Sequence, residues 1–383
     1  MASPGPERSA EQPPREHPRV VLSLLLIGTL LAFLAIFSIW VNRQALNTEN
    51  WVNTSDRLLQ DEEIRAQLSN YLADELIANV DVEGELERTF PPRLAPLAGP
   101  AAGALQQLAP QAAERALETS QVESLWNTAN RVAHERLLAV LDDSGSSNLS
   151  TADGEVTLDL SALLTQLTDR LGVGGNLVAK LPPDAGRLTI LESDELSTAQ
   201  DATTLVRRLP VVLTLLAVLL YGLAVYLAGP RRREALRSVG FGFLAAGVLA
   251  LVLRKFAGVE VTGALAGSDS VEPAVEAVWE IGTSLLVSVA VSAITFGILL
   301  VLAAWLAGPT RAATRLRREA APHLRERGTT YGAVALIFLA LVLWAPVVAF
   351  QKPIGMALLA VLMVLGTEAL RRQTAAEFPA RSN

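Results

Sequence analysis

Residues Val20 to Val41 read VVLSLLLIGTLLAFLAIFSIWV, 22 positions without a charge. A helix rises about 1.5 Å per residue, so this run reaches across the roughly 30 Å hydrocarbon core of a bilayer. A cleavable signal peptide has an apolar core of roughly 7–15 residues and a small-x-small end. This run is longer and ends in Ile39, Trp40 and Val41, so it predicts an uncleaved signal anchor.

Charge-free windows recur at Leu209–Pro230, Ser238–Leu253, Ile281–Thr310, Gly328–Gln351 and Pro353–Thr367. They predict five more spanning helices, at 209–229, 238–256, 281–307, 330–350 and 353–370, forming a membrane domain over 209–370. The windows Ser238–Leu253 and Pro353–Thr367 are short, so charge decides whether they cross. Arginines cluster at Arg8, Arg15 and Arg19, at Arg231, Arg232, Arg233 and Arg237, at Arg311, Arg315, Arg317, Arg318, Arg325 and Arg327, and at Arg371 and Arg372. Short basic loops stay in the cytoplasm, and all four clusters fall on that side only if every window crosses. The expectation is six spans in the cell membrane, both termini cytoplasmic, a disordered tail over 1–19 and a second tail over 371–383. Anionic lipid of the inner face is the natural partner of Arg231, Arg232, Arg233, Arg311, Arg315, Arg317 and Arg318, which anchor the membrane domain. Glu280 and Glu368 fall at the edges of spans, where carboxylates stay solvated.

Residues 42–208 then form one extracytoplasmic insertion, long enough for a domain with its own core. It holds 26 acidic residues against 13 basic ones, while the whole chain carries a net charge of −7. Leucine and isoleucine at Ile64, Leu68, Leu72 and Leu76 predict an amphipathic helix over 61–79, behind Glu62 and Glu63. Pro91, Pro92, Pro96 and Pro100 punctuate the next stretch of chain, and Ala101–Leu108 predicts a short helix. Ser120 and Glu123 form a capping box ahead of an inward face of Val122, Leu125, Trp126, Ala129, Val132, Leu137 and Val140, ending near Asp142. Leu163, Leu164, Leu167 and Leu171 predict another helix. Alternation over Val156–Leu160 and the segment Arg187–Leu191 predict two short strands that pair into a ribbon on the helices. Ser193 caps a last helix that enters the membrane near Pro210. The fold class is therefore an all-α membrane protein of six helices with a mainly helical outer domain.

Two nonamers agree at six positions: Ala224 to Arg232 reads AVYLAGPRR and Ala303 to Arg311 reads AAWLAGPTR. The helices after them share Leu-Ala-Leu-Val-Leu at Leu249–Leu253 and Leu339–Leu343. This predicts a parallel repeat of spans two and three in spans four and five, in which glycine ends a helix in a left-handed turn, proline stops it and arginine anchors it. Parallel repeats occur in transporters.

The chemistry is sparse. Without cysteine, thiol nucleophiles, thiolate metal sites and disulfides are excluded. His134–Glu135 opens like a zincin motif, but Leu138 stands where the second histidine belongs. Asp142, Asp143, Asp153 and Glu155 surround Gly145 and Gly154 in an acidic turn without EF-hand spacing. No nucleophile elbow, phosphate-binding glycine loop, dinucleotide fingerprint or nucleic-acid footprint occurs, and no metal or cofactor is expected. Ser284, Ser288 and Ser292, with Thr295 near the same line, place hydroxyls along the fourth span. Small polar residues let helices approach and hydrogen-bond, with Gly240 and Gly247 as the expected partner surface; the other reading is a wet substrate path.

On the anchor, the Asn50–Trp51–Val52 opening, the helical outer domain and five further helices, the chain resembles an uncharacterised actinobacterial family of multi-pass integral membrane proteins over 20–372. That resemblance implies no activity. One span, a large outer domain and five spans are also similar to half of a resistance-nodulation-division transporter, from which this chain departs by lacking an acidic or tyrosine relay on the fourth span. The expected function is that of a non-catalytic envelope protein, not an enzyme, whose outer domain binds, senses or scaffolds an envelope partner or a second copy of itself. A transporter or channel component with the repeat as its core is the alternative.

Overall fold

The computed structural model describes residues 18–142, 155–159, 187–344 and 353–377. Among them helix dominates, and four helices are long and apolar enough to cross a membrane. These are α1 (Pro18–Ala45), α7 (Ser193–Leu227), α8 (Arg232–Leu265) and α10 (Ser284–Leu306). The helices at the other two expected spans are α12 (Arg327–Trp344) and α13 (Pro353–Glu377). The group of four is drawn from the described residues and does not include these two helices.

The chain divides into two compact units. One, the span unit, comprises Met1–Phe37, Pro210–Val252 and Leu286–Asn383; the other, the insert unit, comprises Ser38–Leu209 and Leu253–Leu285. The insert unit thus takes in 253–285, which the sequence reading left in the membrane domain.

In the span unit the helices approach one another closely at small residues. A Cβ on Gly240 would stand 2.7 Å from Val301 Cγ2 and 2.9 Å from the Gly297 carbonyl oxygen. One on Gly247 would stand 2.7 Å from the Ala290 carbonyl oxygen, and one on Gly297 would stand 2.7 Å from that of Gly240. Glycine therefore sets the approach of α8 to α10. Tyr221, 4% exposed, is wedged where α1, α7 and α8 meet. Its hydroxyl lies 3.0 Å from Thr29 Oγ1, and its ring occupies the space a side chain at Gly28 would need.

The two nonamers diverge in structure. Gly229 is left-handed at φ 50°, and a 3₁₀ turn at Gly229–Arg231 leads straight into α8. In the second copy Thr310 caps α11 (Arg311–Arg325), its hydroxyl accepting from the Ala313 N–H at 3.3 Å. Gly308 is not left-handed. The reading of glycine as a left-handed stop holds for the first copy only, because threonine at position 310 starts a helix where the first copy has arginine. Helix α11 buries Ala313, Arg317 and Ala321, one turn apart, and packs on α12 and α13.

In the insert unit α2 (Thr48–Gln60) comes after α1, capped by Asn47, whose side chain accepts from the Asn50 N–H at 2.9 Å. Helix α3 (Glu62–Asn79) is capped by Asp61, whose carboxylate accepts from the N–H groups of Glu63 and Ile64. Then come α4 (Val82–Thr89), α5 (Ala98–Leu117) and α6 (Ser120–Leu141). Two expectations change here. The short helix at Ala101–Leu108 runs on to Leu117 through Pro110, which forfeits one backbone bond in a helix held by its packing on α3 and α4. The cap of α6 is Thr119 instead of Ser120; its hydroxyl accepts from the Val122 N–H at 3.4 Å, and its extended backbone suits a cap. Helix α7 continues through Pro210.

Strands β1 (Glu155–Asp159) and β2 (Arg187–Glu192) pair antiparallel, Val156 opposite Leu191 and Asp159 opposite Arg187. The helix expected around Leu163–Leu171 lies outside the described residues. Helix α9 (Glu272–Gly282) stops at Thr283, one residue before α10. It packs on α2 and α3.

Candidate functional site

The serine stripe has partners close at hand. Ser292 Oγ donates to the Ser288 carbonyl at 2.6 Å, Thr295 Oγ1 to Val291 at 2.8 Å and Ser284 Oγ to Ile281 at 2.7 Å. Ser284 Oγ also accepts from Arg57 Nη1 of α2 at 2.9 Å. Such back-bonding satisfies a hydroxyl without a second helix. The face of α10 that meets Gly240 and Gly247 is Ala290, Ile294, Gly297 and Val301. At about 100° per residue that face lies roughly 145° around the helix from the four hydroxyls. The glycine surface anticipated on α8 is therefore real, and its counterpart is a glycine and aliphatic line instead of the serines.

The break at Thr283 is a polar knot in the insert unit. Trp40 Nε1 donates to the Gly282 carbonyl at 3.3 Å, and Arg254 Nε donates to Thr283 Oγ1 at 2.6 Å. The Thr283 hydroxyl in turn donates to the Trp279 carbonyl at 2.6 Å. Gln67 Nε2 reaches the Ser270 carbonyl at 2.8 Å. These bonds tie α1, α3 and α8 to the α9 segment.

Among the seven arginines expected on lipid, Arg311, Arg315 and Arg318 of α11 are exposed, as are Arg232 and Arg233. Arg232 lies 5.9 Å from the centre of the Tyr226 ring. Arg317 is a correction. It is 2% exposed and donates to the Leu306 and Gly308 carbonyls and to both oxygens of Glu377, at 2.9 Å and 3.0 Å. The last carbonyls of a helix lack intrahelical partners and carry the negative end of its dipole, so a cation there closes α10. Gln373 Nε2 assists, donating to the Ala307 carbonyl and to Glu377. The Gln373 bond, then Arg317, holds the Glu377 carboxyl below its usual range against the opposing effect of burial. The sequence carries only a faint signal for Arg317: Ala313, Arg317 and Ala321 repeat every four residues, as Ala312, Leu316 and Ala320 also do.

Among the described residues His134 of α6 is the buried titratable group of the insert unit, at 3% exposure. Nε2 lies 3.1 Å from the carbonyl oxygen of Ala45, the last residue of α1, and Nδ1 lies 3.1 Å from Thr48 Oγ1. A neutral ring with its proton on Nε2 satisfies both, donating to Ala45 and accepting from Thr48. The ring stacks on Trp51, centroids 5.0 Å apart. Burial pulls its pKa below the ordinary value, with the Ala45 carbonyl and Glu135 opposing. It serves as a dock between α6 and the α1–α2 corner, which fits no zinc reading.

Asp142 of the acidic turn pairs with Arg207 at 2.7 Å, while Asp143 and Asp153 lie outside the described residues. Among the described residues no cluster of metal-ligating side chains occurs.

The insert unit also holds an open apolar groove of about 410 Å³ between α3 and α5, with Val82 of α4 in its lining. Leu72, Ala73 and Ile77 line one wall, and Leu105, Leu108, Ala109, Ala112 and Ala113 line the other; Gln106 is its one polar lining residue. Leu105 and Leu108 are 49% and 55% exposed. The α5 wall recurs at steps of three and four, a helical stripe that the proline pattern hid in the sequence. Comparison with known families, curated proteins and solved structures returned no match.

Proposed function

We propose that this chain is a non-catalytic, six-span protein of the cell membrane, with a signal anchor and cytoplasmic termini, whose extracytoplasmic domain binds a partner in the α3–α5 groove. The groove carries the reading. A surface row of leucines and alanines in a groove apolar at every position but Gln106 is unusual on a solvated helical domain and marks an interaction site. The alanines at 109, 112 and 113 leave a low wall against which another helix lies closely, and about 12 Å of α5 from Leu105 to Ala113 matches two turns of such a helix. The 26 acidic against 13 basic residues of 42–208 favour an amphipathic helix with basic flanks on a second envelope protein. They disfavour a second copy of this acidic domain.

The transport alternative draws on the nonamer repeat. Its support is weaker, since the hydroxyls of Ser292 and Thr295 are engaged by their own helix and that of Ser284 by Ile281 of α9 and Arg57 of α2. The test places a photoreactive phenylalanine analogue at Leu105 or Leu108, with Glu135 on α6 as control, in the full chain in native membranes. Adducts with one other envelope protein at 105 and 108, absent at 135, are expected. Dimers of this chain alone, or equal adducts at all three positions, would overturn the reading.

A further inference from the structure

Where α11, α12 and α13 meet, the span unit holds a cleft of about 240 Å³ lined by Ala321, Arg327, Glu368, Arg371, Arg372, Thr374 and Ala375. Three guanidinium groups share it with one carboxylate. Glu368 Oε1 accepts from Arg372 Nε at 3.0 Å, and Oε2 lies 3.3 Å from both Arg371 Nη1 and the Tyr331 hydroxyl. The Arg371 guanidinium also lies 5.9 Å from the centre of the Tyr331 ring. Arg371 is thereby held, at 16% exposure, while Arg372 is 79% exposed on the rim.

This arrangement exceeds what a structural ion pair needs. One carboxylate offers two oxygens, whereas each guanidinium offers five donors in a rigid fork. Among the described lining residues three positive charges stand against one negative, a balance of about +2. Its volume is many times the roughly 10–15 Å³ that one water occupies on such a measure. Forked donors around a doubly positive hollow match a tetrahedral dianion, since a phosphomonoester carries about −1.5 to −2 near neutral pH. A phosphodiester, with one charge, would leave the cleft half neutralised.

We propose that this cleft binds a phosphomonoester group, with Arg327, Arg371 and Arg372 as its ligands and Glu368 and Tyr331 positioning Arg371. It is a different site from the α3–α5 groove and does not depend on what that groove binds. The group is supplied by a lipid with a terminal phosphate, or by soluble phosphate.

The full chain in a neutral detergent is titrated with inorganic phosphate by calorimetry, and retention of phosphatidic acid, phosphatidylglycerol and phosphatidylcholine is compared by native mass spectrometry. Phosphatidic acid retained over phosphatidylglycerol, without binding of free phosphate, identifies the lipid source. Saturable phosphate binding without lipid preference identifies the soluble source. The double variant Arg327→Gln/Arg372→Gln should lose at least about tenfold in affinity for whichever probe binds. The single variant Arg372→Gln, at an exposed position, should weaken binding with the melting temperature unchanged. Neither probe preferred over phosphatidylglycerol and chloride, or variants that bind as the parent does, would overturn the proposal.

Discussion

Replacing Arg317 with alanine tests whether this arginine holds the span unit together from inside or works on lipid from outside. The guanidinium makes four bonds: two to Glu377 and one each to the Leu306 and Gly308 carbonyls. Each backbone acceptor left dry costs about 1–3 kcal/mol. Glu377 is 34% exposed and rehydrates, so little is added for its charge. The sum is about 3 kcal/mol, the low end of the range for breaking a buried pair. That is roughly 6–12 °C in melting temperature for a cooperative unit of this size. Arg317→Met, which fills the volume and leaves the acceptors unmet, should fall nearly as far. Arg317→Lys, with a point charge in place of the fork, should fall about half as far. Arg315→Ala, at an exposed position, should stay within about 0.5 kcal/mol. The assay is thermal unfolding in detergent, repeated with and without anionic lipid. An Arg317→Ala shift no larger than that of Arg315→Ala, or one that appears only with anionic lipid, would refute the clamp.

Burial of neutral His134 makes the insert unit acid-sensitive: its folded pKa lies below the unfolded value of about 6.5, so the unfolded chain binds the extra proton. Its contribution is complete above about pH 6.5 and is lost as pH falls toward the folded value; His134→Gln should flatten that slope in melting curves taken from about pH 7.5 to 5, and an unchanged slope would count against the dock. Gly297→Leu should drive α10 from α8 and lower the melting temperature by several degrees, because the Cβ alone meets the Gly240 carbonyl at 2.7 Å. Ser288→Ala, on the other side of α10, should change it by less than about 1 °C; equal effects would mean that the close face is misassigned. In this cysteine-free chain, a cysteine at Ser268 should react with an impermeant maleimide in intact cells and one at Thr314 should not; labelling at Thr314 would sink the six-span thread.

The apolar runs, the basic clusters and the helical periods of the insertion were legible along the chain, because each reports a local relation: residue to solvent, or residue to its neighbour three or four places on. Length and apolarity sufficed for α1, α7, α8 and α10. Which face meets which neighbour was decided only in three dimensions. The serine line of α10 looked like its contact surface, yet hydroxyls close on their own backbone, and the helix approaches where glycine leaves room. Arg317 looked like Arg315 and Arg318, since charge alone does not tell a buried guanidinium from a solvated one. Its burial comes from acceptors that α10 and α13 bring to it, 9 to 60 residues away in sequence. His134, Trp51 and Ala45 likewise meet because folding closes the α1–α2 corner onto α6. Local pattern determined where helices form, and tertiary packing determined what each face does, because a polar group's role depends on partners that sequence spacing does not contain.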